Sequence, residues 1–377
     1  MLAAIITVAT LSAYSLAVFV GTRFGDSRCI GDNPVPTLTF IAILFTSGLD
    51  VGLLMFPLVD FKLFSESASY NFANPLAIEF GLWGFLVWLF YFNTTTYFCL
   101  IEPKLKLFQI PIIKWANNVA IIGTCAFTAY LFLSYLPDYV EGIEDTTVYG
   151  LVGFTILFAA ISSSRISFLK VLSLSSTVLF FLMIILLAIS SAMGVGGFLE
   201  SLSNLKDYFL NLDRFVTPVD EYHQFYLYWW FAWSIMIGQF VARFTNGLRT
   251  SRLLMLLLIV PSIPIAVWFS VLYHFFSNDL ILEEHWKLVM VAVGVLFVIN
   301  SLDSLIRLYS ENIGFTAARV GNIFYVSANS VALASLVLFY RFTPLKIEWI
   351  GLLVIGIYCA VGIMMYRRRD ELSSAAA

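Results

Sequence analysis

The stretch Phe225-Tyr-Leu-Tyr-Trp-Trp-Phe-Ala-Trp-Ser-Ile-Met-Ile-Gly-Gln-Phe-Val-Ala242 decides the fold of this 377-residue chain. No charge interrupts it. As a helix it rises about 27 Å at 1.5 Å per residue, close to the ~30 Å hydrocarbon core of a bilayer. Comparable apolar runs recur on both sides. Breaks made of charge, Pro and Gly delimit eleven candidate spans, at 1–22, 36–58, 74–101, 112–135, 147–163, 167–196, 223–243, 252–275, 287–308, 318–340 and 347–366. A membrane barrel strand would show alternating segments of ~10 residues, whereas these runs are about 20 residues long with little alternation, so they predict helices. The expected fold class is an all-α polytopic membrane protein with about 11 transmembrane helices.

Composition points the same way. The chain is 60% hydrophobic and only 12% charged, against about a quarter charged in ordinary soluble domains, which excludes a cytosolic globular protein. A net charge of −3 leaves no basic surface for nucleic acid. Neither a glycine-rich phosphate loop nor a paired Cys/His spacing of the zinc type is present in the sequence. The first apolar run lacks a basic start and a small-residue cleavage site before Arg23, so it reads as a retained span. Cys29, Cys99, Cys125 and Cys359 lie in or beside spans, and no structural disulfide is expected.

Lys and Arg sort the loops into two sets. With Arg367, Arg368 and Arg369 taken as cytoplasmic, the same side receives Arg23 and Arg28; Lys104, Lys106 and Lys114; Arg165 and Lys170; Arg243, Arg249 and Arg252; and Arg307 and Arg319, which makes 15 of the 21 basic residues. Opposite loops hold Asp138, Glu141, Glu144 and Asp145, then Glu200, Asp207, Asp213, Asp220 and Glu221, then Asp279, Glu283 and Glu284. An odd span count places the N-terminus outside. Between the sixth and seventh spans, Phe198, Leu202, Leu205, Phe209 and Leu212 recur at three- and four-residue steps, the pattern of an amphipathic helix on the membrane surface over 197–222. Its role is either a connector or a gate.

Three features could carry chemistry. Trp229, Trp230 and Trp233 continue one face of the seventh span inward, and Trp83, Trp88 and Tyr91 descend the third span in the same way. Such rings form either an interfacial belt or two facing ladders that cage a quaternary ammonium by cation–π attraction. In the second span, Thr46-Ser-Gly48-Leu49-Asp50-Val-Gly52 interrupts an apolar run. An intramembrane carboxylate such as Asp50 is a functional candidate, and glycines on either side allow unwinding that frees carbonyls for a cation; the alternative is a packing pair of glycines with a paired Asp. In the ninth span, Asn300-Ser301-Leu-Asp303-Ser304 offers oxygen ligands for sodium or interhelical hydrogen bonds. Thr124 and Thr128 share a face of the fourth span, where threonines commonly bond back to the helix. His223, His274 and His285 fall at outer span ends and read as solvated, and Glu79 as an outer-rim carboxylate.

Together these residues resemble the betaine/choline/carnitine transporter family. The stretch from Phe225 to Gly247 is similar to its signature span, with a Trp-Trp-x-x-Trp-Ser core and an Ala-Arg-x-x-x-Gly exit. Gly48 and Gly52, the spacing of Trp83, Trp88 and Tyr91, the Thr124/Thr128 pair, Val267-Trp-Phe-Ser270 and Ile299-Asn-Ser-Leu-Asp-Ser304 follow in order, so the resemblance extends from about residue 10 to 366. It implies a leucine-transporter-type fold of two inverted five-helix repeats, working by alternating access. On this chain the parts are an N-terminal span and loop at 1–35, a first repeat at 36–196, a surface connector at 197–222, a second repeat at 223–366 and a short cytoplasmic tail at 367–377. On this alignment the family's first span and long tails are expected to have no counterpart within residues 1–377.

The resemblance further implies a substrate cage of Trp83, Trp88, Tyr91 and Trp230, with Trp229 and Trp233 along the pathway. One sodium site would take side chains of Asn300 and Ser301 with main-chain oxygens of Thr46, Leu49 and Phe297; a second would use Thr124 and Thr128, near Met236. Asn300 stands where sodium-coupled members have Thr, and Met236 replaces an aromatic, which weakens the second site. Asp50 occupies a stretch that is otherwise glycine-rich in the family, which favours choline or a similar cation and allows a coupling proton. The expected function is secondary active uptake of a quaternary ammonium compound (choline, glycine betaine, carnitine or similar) across the cell membrane, with sodium as coupling ion and no other cofactor. Competing expectations are ion-independent exchange, proton-coupled choline transport through Asp50, and a non-transporting receptor. An enzyme is not expected, because no span holds a nucleophile–base pair. The partners implied are the small ammonium compound, the lipid bilayer and two further copies of the chain in a homotrimer.

Overall fold

The computed structural model describes residues 1–48 and 52–374, without the side chains of 46–48, 166, 170 and 372–374. Among the described residues, nine helices are long and apolar enough to cross a membrane: Leu2–Arg23, Pro75–Leu100, Pro111–Tyr139, Asp145–Ser163, Ser167–Ser190, Thr250–Ser277, Glu284–Ile313, Asn322–Phe342 and Ile347–Arg367. The other two expected spans take other forms. The second is divided into Thr37–Gly48 and Gly52–Glu66. The seventh, Glu221–Ala242, is a continuous 22-residue helix whose Tyr and Trp lower its hydropathy although nearly all of it is buried. The chain is thus an all-α polytopic membrane protein.

Local chemistry sets where several helices begin. The Asn74 side chain accepts from the Ala77 N–H at 3.0 Å, and Pro75 takes the first helical position, where its missing N–H costs nothing. Asp220 caps the seventh span by accepting from the His223 N–H at 2.8 Å.

Two spans expected to be continuous are broken. The third consists of Pro75–Trp83, a tight turn at Phe85–Val87 and Trp88–Leu100, with Phe85 in a left-handed conformation at φ 48°. The eighth divides into Thr250–Ile259 and Ser262–Ser277 around Pro261. These breaks meet: the Phe85 N–H, released from helical bonding, donates to Ser262 Oγ at 2.8 Å. The fourth and ninth spans are the longest helices, with 29 and 30 residues.

The loops sorted by charge also meet in space. Arg28–Ile30 pairs antiparallel with Asn246–Arg249, joining two of the basic loops. Arg368 donates to the Leu105 carbonyl at 2.8 Å, and Arg243 pairs with Glu311, which brings the C-terminal tail and two further loops to that end. At the other end, Asn74 donates to the Asn204 carbonyl and to Asp207, and Tyr70 donates to Asp220 at 2.6 Å. The bundle therefore has a basic face and an acidic face.

Two expectations need correction here. Residues 197–222 do not form one surface helix but two short helices, Val195–Ser203 and Lys206–Leu210, and a turn at Leu212–Phe215. Arg307 is not a loop residue. The ninth span continues to Ile313, so Arg307 lies inside it, buried, and pairs with Asp303 one turn earlier at 2.8 Å; Ser162 donates to the other Asp303 oxygen. Removing one partner of such a pair leaves an uncompensated charge. Arg307→Ala is expected to destabilise by about 3–5 kcal/mol, whereas Asp303→Asn combined with Arg307→Met recovers most of that loss. Thermal unfolding in detergent compares the variants, and equal losses in the single and combined forms would refute the pair as the source.

Candidate functional site

The aromatic residues singled out in the third and seventh spans come together in one buried cluster. Trp83 stands edge-on to Trp229 and Trp230, with ring centroids 5.4 and 5.2 Å away. Trp88 meets Tyr91 at 5.0 Å, Tyr91 meets Trp230 at 6.2 Å, and Trp229 stacks on Trp230 at 5.3 Å. Trp233 is buried one turn beyond Trp229. Five rings at these distances form a packed core rather than an interfacial belt. The T-shaped contacts fit the ring quadrupoles, with a positive edge against a negative face.

Two of these indoles bond to the break in the third span. Leu82 and Trp83 end its first helix, so their carbonyls lack the usual acceptor role within a helical turn. Trp230 Nε1 donates to Leu82 O at 2.7 Å, and Trp88 Nε1 donates to Trp83 O at 3.2 Å. The indole N–H groups of Trp83, Trp229 and Trp233 are buried without a hydrogen-bond partner.

Close approach of two helices assembles the cluster. Thr94 Oγ1 donates to the Ser234 carbonyl at 2.8 Å, and a Cβ on Gly238 would stand 2.0 Å from that Oγ1 and 2.9 Å from the Thr94 backbone carbon. Only glycine admits this contact.

The residues expected to hold sodium are distributed differently. Thr124 and Thr128 are buried and bond back to Ala120 O and Thr124 O, at 2.9 and 3.2 Å. The Asn300 side chain is engaged with the sixth span, accepting from Ser173 Oγ and donating to Ser176 Oγ, each at 3.2 Å. Ser301 is buried beside it in sequence. Phe297 is buried between Phe45 and Phe180, with centroids 6.0 and 5.6 Å away. Leu49 and Asp50, and the side chain of Thr46, lie outside the described residues.

Several residues around the cluster were not anticipated. Phe56 stacks on Tyr135 at 3.9 Å and contacts Trp83 and Trp229. Asp60, one turn beyond Phe56, is buried and accepts from Tyr222 at 2.7 Å and Tyr226 at 3.2 Å. A charge spaced four residues from an aromatic was the available signal. Glu79 is not an outer-rim residue: it is fully buried. His223 is not solvated either; it is buried, and its Nδ1 accepts from the Val219 N–H at 3.2 Å. On the basic face, a cavity of about 570 Å³ is lined by Glu102, Lys106, Lys114, Gln239, Arg243 and Glu311, among others. Burial raises the proton affinity of the Glu102 carboxyl, partly offset by hydrogen bonds from the Phe108 backbone and Tyr97.

Helices broken within their spans, around a buried aromatic cluster, mark a polytopic membrane protein, and its fold is that of the leucine-transporter type. A solved structure of a Na+-coupled sialic acid symporter, in a substrate-bound outward-open state, shares the fold with a TM-score of 0.53 at 14% identity, covering 94% of this chain and 85% of that one. Residues 116–275 match the family described as BCCT, betaine/carnitine/choline family transporter. The chain is 25% identical over 303 residues to glycine betaine transporter 1 of Vibrio parahaemolyticus, and 24% identical over 277 residues to the glycine betaine transporter OpuD of Bacillus subtilis. The alignments take in 68% and 62% of this chain but 58% and 54% of those relatives. Over these stretches the chain is similar to the betaine/carnitine/choline transporter family, and it spans little more than half the length of the two relatives.

Gly238→Ala is expected to separate the third and seventh spans. Because the Thr94 Cβ and backbone carbon also crowd the site, Thr94→Ala should not rescue it. Overpacking of this kind costs about 1–3 kcal/mol or more. Detergent melting of both variants checks this, and full rescue by Thr94→Ala would refute it.

Proposed function

We propose that this protein is a secondary active transporter that moves a quaternary ammonium compound across the membrane by alternating access, with sodium as its coupling ion. The observation that carries the substrate class is the contiguous cluster of Trp83, Trp88, Tyr91, Trp229 and Trp230. An alkylated ammonium is attracted to ring faces by about 0.5–2 kcal/mol per ring, more where water is excluded, and these rings are buried. The names of the two bacterial relatives fit the same class.

Two inverted repeats, 36–196 and 223–366, are the organisation we propose for the movement. In support, the third and eighth spans occupy corresponding places and both are broken, and the fourth and ninth are the two longest. For sodium, the support is the chemistry of the residues at hand. A threonine hydroxyl that donates its hydrogen to a carbonyl keeps lone pairs for a cation, so back-bonding at Thr124 and Thr128 is compatible with ligation. Asn300 would have to exchange its serine partners for the ion. Coupling through Asp50 and a proton remains the alternative that the sequence raises.

Uptake of radiolabelled choline and glycine betaine into proteoliposomes, with and without a sodium gradient, tests this. Uptake that requires inward sodium is expected, and counterflow without sodium would instead indicate exchange. Trp230→Leu keeps an apolar side chain but removes the ring face, and is expected to raise KM about 2- to 30-fold, with Trp230→Phe in between. Absence of both binding and uptake for either compound would overturn the reading.

A further inference from the structure

Glu79 lies one helical turn before Trp83, in the helix that starts at Asn74 on the acidic face. It is fully buried, and neither carboxylate oxygen has a hydrogen-bond partner. The Trp83 indole N–H, one turn further along the same helix, is likewise buried without a hydrogen-bond partner. Asp60 is a second buried carboxyl group, linked to the rings through Tyr226. The Asp60 carboxylate is held by Tyr222 and Tyr226, and Tyr226 packs edge-on against Trp83 at 5.9 Å. Carboxylates and rings therefore form one continuous buried patch. Among the described residues, neither Asp60 nor Glu79 has a Lys, Arg or His within ion-pair distance.

Desolvating a carboxylate without a partner is costly, and within a membrane such a residue points to a function. A cation arriving at the tryptophans supplies the missing partner. A zwitterion such as betaine does so less well, because its own carboxylate meets two negative groups. We propose that Glu79, backed by Asp60, is the counter-charge for the substrate's ammonium, and that the protein therefore selects a quaternary ammonium of net positive charge over a zwitterionic one. This rests on the transport function proposed above and names its substrate class. Asp60 acts through position: its bonds to Tyr222 and Tyr226 hold it at the Tyr226 hydroxyl, next to the rings, where it adds to the field without taking the contact.

The test is binding to the full-length protein in nanodiscs, read by tryptophan fluorescence, with choline and glycine betaine as probes. Wild-type protein is expected to bind choline more tightly than betaine. Glu79→Gln keeps the shape and removes the charge; choline affinity should fall about tenfold or more while betaine affinity stays or improves. Glu79→Asp should keep the choline preference, and this variant serves if the glutamine form fails to fold. A general structural defect would weaken both ligands together and leave their ratio unchanged, which would overturn the proposal. So would a wild-type preference for betaine, or an unchanged choline affinity in Glu79→Gln. Wild-type protein that binds neither compound would instead overturn the transport reading on which the proposal rests.

Discussion

Within a bilayer no water is present to satisfy a carbonyl that a helix releases, so every break in a spanning helix requires a donor from elsewhere in the protein. Much of this structure answers that constraint, and it does so with indoles. Trp230 and Trp88 donate to the Leu82 and Trp83 carbonyls where the third span ends its first helix. In the second span, Pro57 cannot donate to the carbonyl four residues earlier, that of Leu53, and Trp268 from the eighth span does so at 2.9 Å. Tyr139 reaches the neighbouring Met55 carbonyl at 2.6 Å. Trp is suited to this because its large apolar ring fills space while a single N–H meets a single acceptor. The abundance of aromatic residues thus has a structural cause alongside any role in binding.

The seventh span is where these demands converge. Buried on nearly all sides, it can present aromatic rings in several directions at once, which a helix facing lipid on one side could not. Its contact with the third span depends on Gly238, because the Thr94 hydroxyl takes the place of a side chain there. Polar groups deeper in the ninth span follow the same rule by pairing: Asn300 with two serines of the sixth span, and Asp303 with Arg307 and Ser162. Among the described residues, Glu79 is the carboxylate that departs from it.

The sequence made the span count, the helical class and the two faces readable, because apolar length and loop charge are local properties. The pairing of Arg28–Ile30 with Asn246–Arg249 joins two loops that charge alone had put on one side. Residues near span ends were less readable. A charge normally ends an apolar run, so Arg307 and Glu79 read as boundary residues; the ninth helix runs on to Ile313 and carries Arg307 inside, whereas Glu79, near the start of Pro75–Trp83, is buried by packing from other elements. His223 is buried because the preceding connector folds over it, with the Phe215 ring against it and the Val219 N–H donating to its Nδ1. The break at Gly84 and Phe85 has no proline to announce it; it depends on Ser262 and on indoles that are remote in sequence. Trp83, Trp88, Tyr91, Trp229 and Trp230 were legible as a group because helical spacing within two spans was enough to align them, but Phe56, Asp60 and Tyr226 join through tertiary packing that no spacing reveals.

The same indoles that close the breaks lie in the proposed binding cluster, and this couples ligand to backbone. A hydrogen bond from an indole to a released carbonyl contributes about 0.5–1.5 kcal/mol net, comparable to what one ring gains from an ammonium. A ligand that reoriented Trp88 or Trp230 would therefore trade one interaction for another of similar size, and would loosen the junction between the two halves of the third span as it did so. Because the Phe85 N–H is bonded to Ser262, loosening at that junction reaches the break in the eighth span directly. Terms of this size can shift a balance between two arrangements without dismantling either, since neither depends on a single strong contact. The breaks, their indole donors and the cluster then form one mechanical unit, with the acidic face on the Glu79 side and the basic cavity at the opposite end.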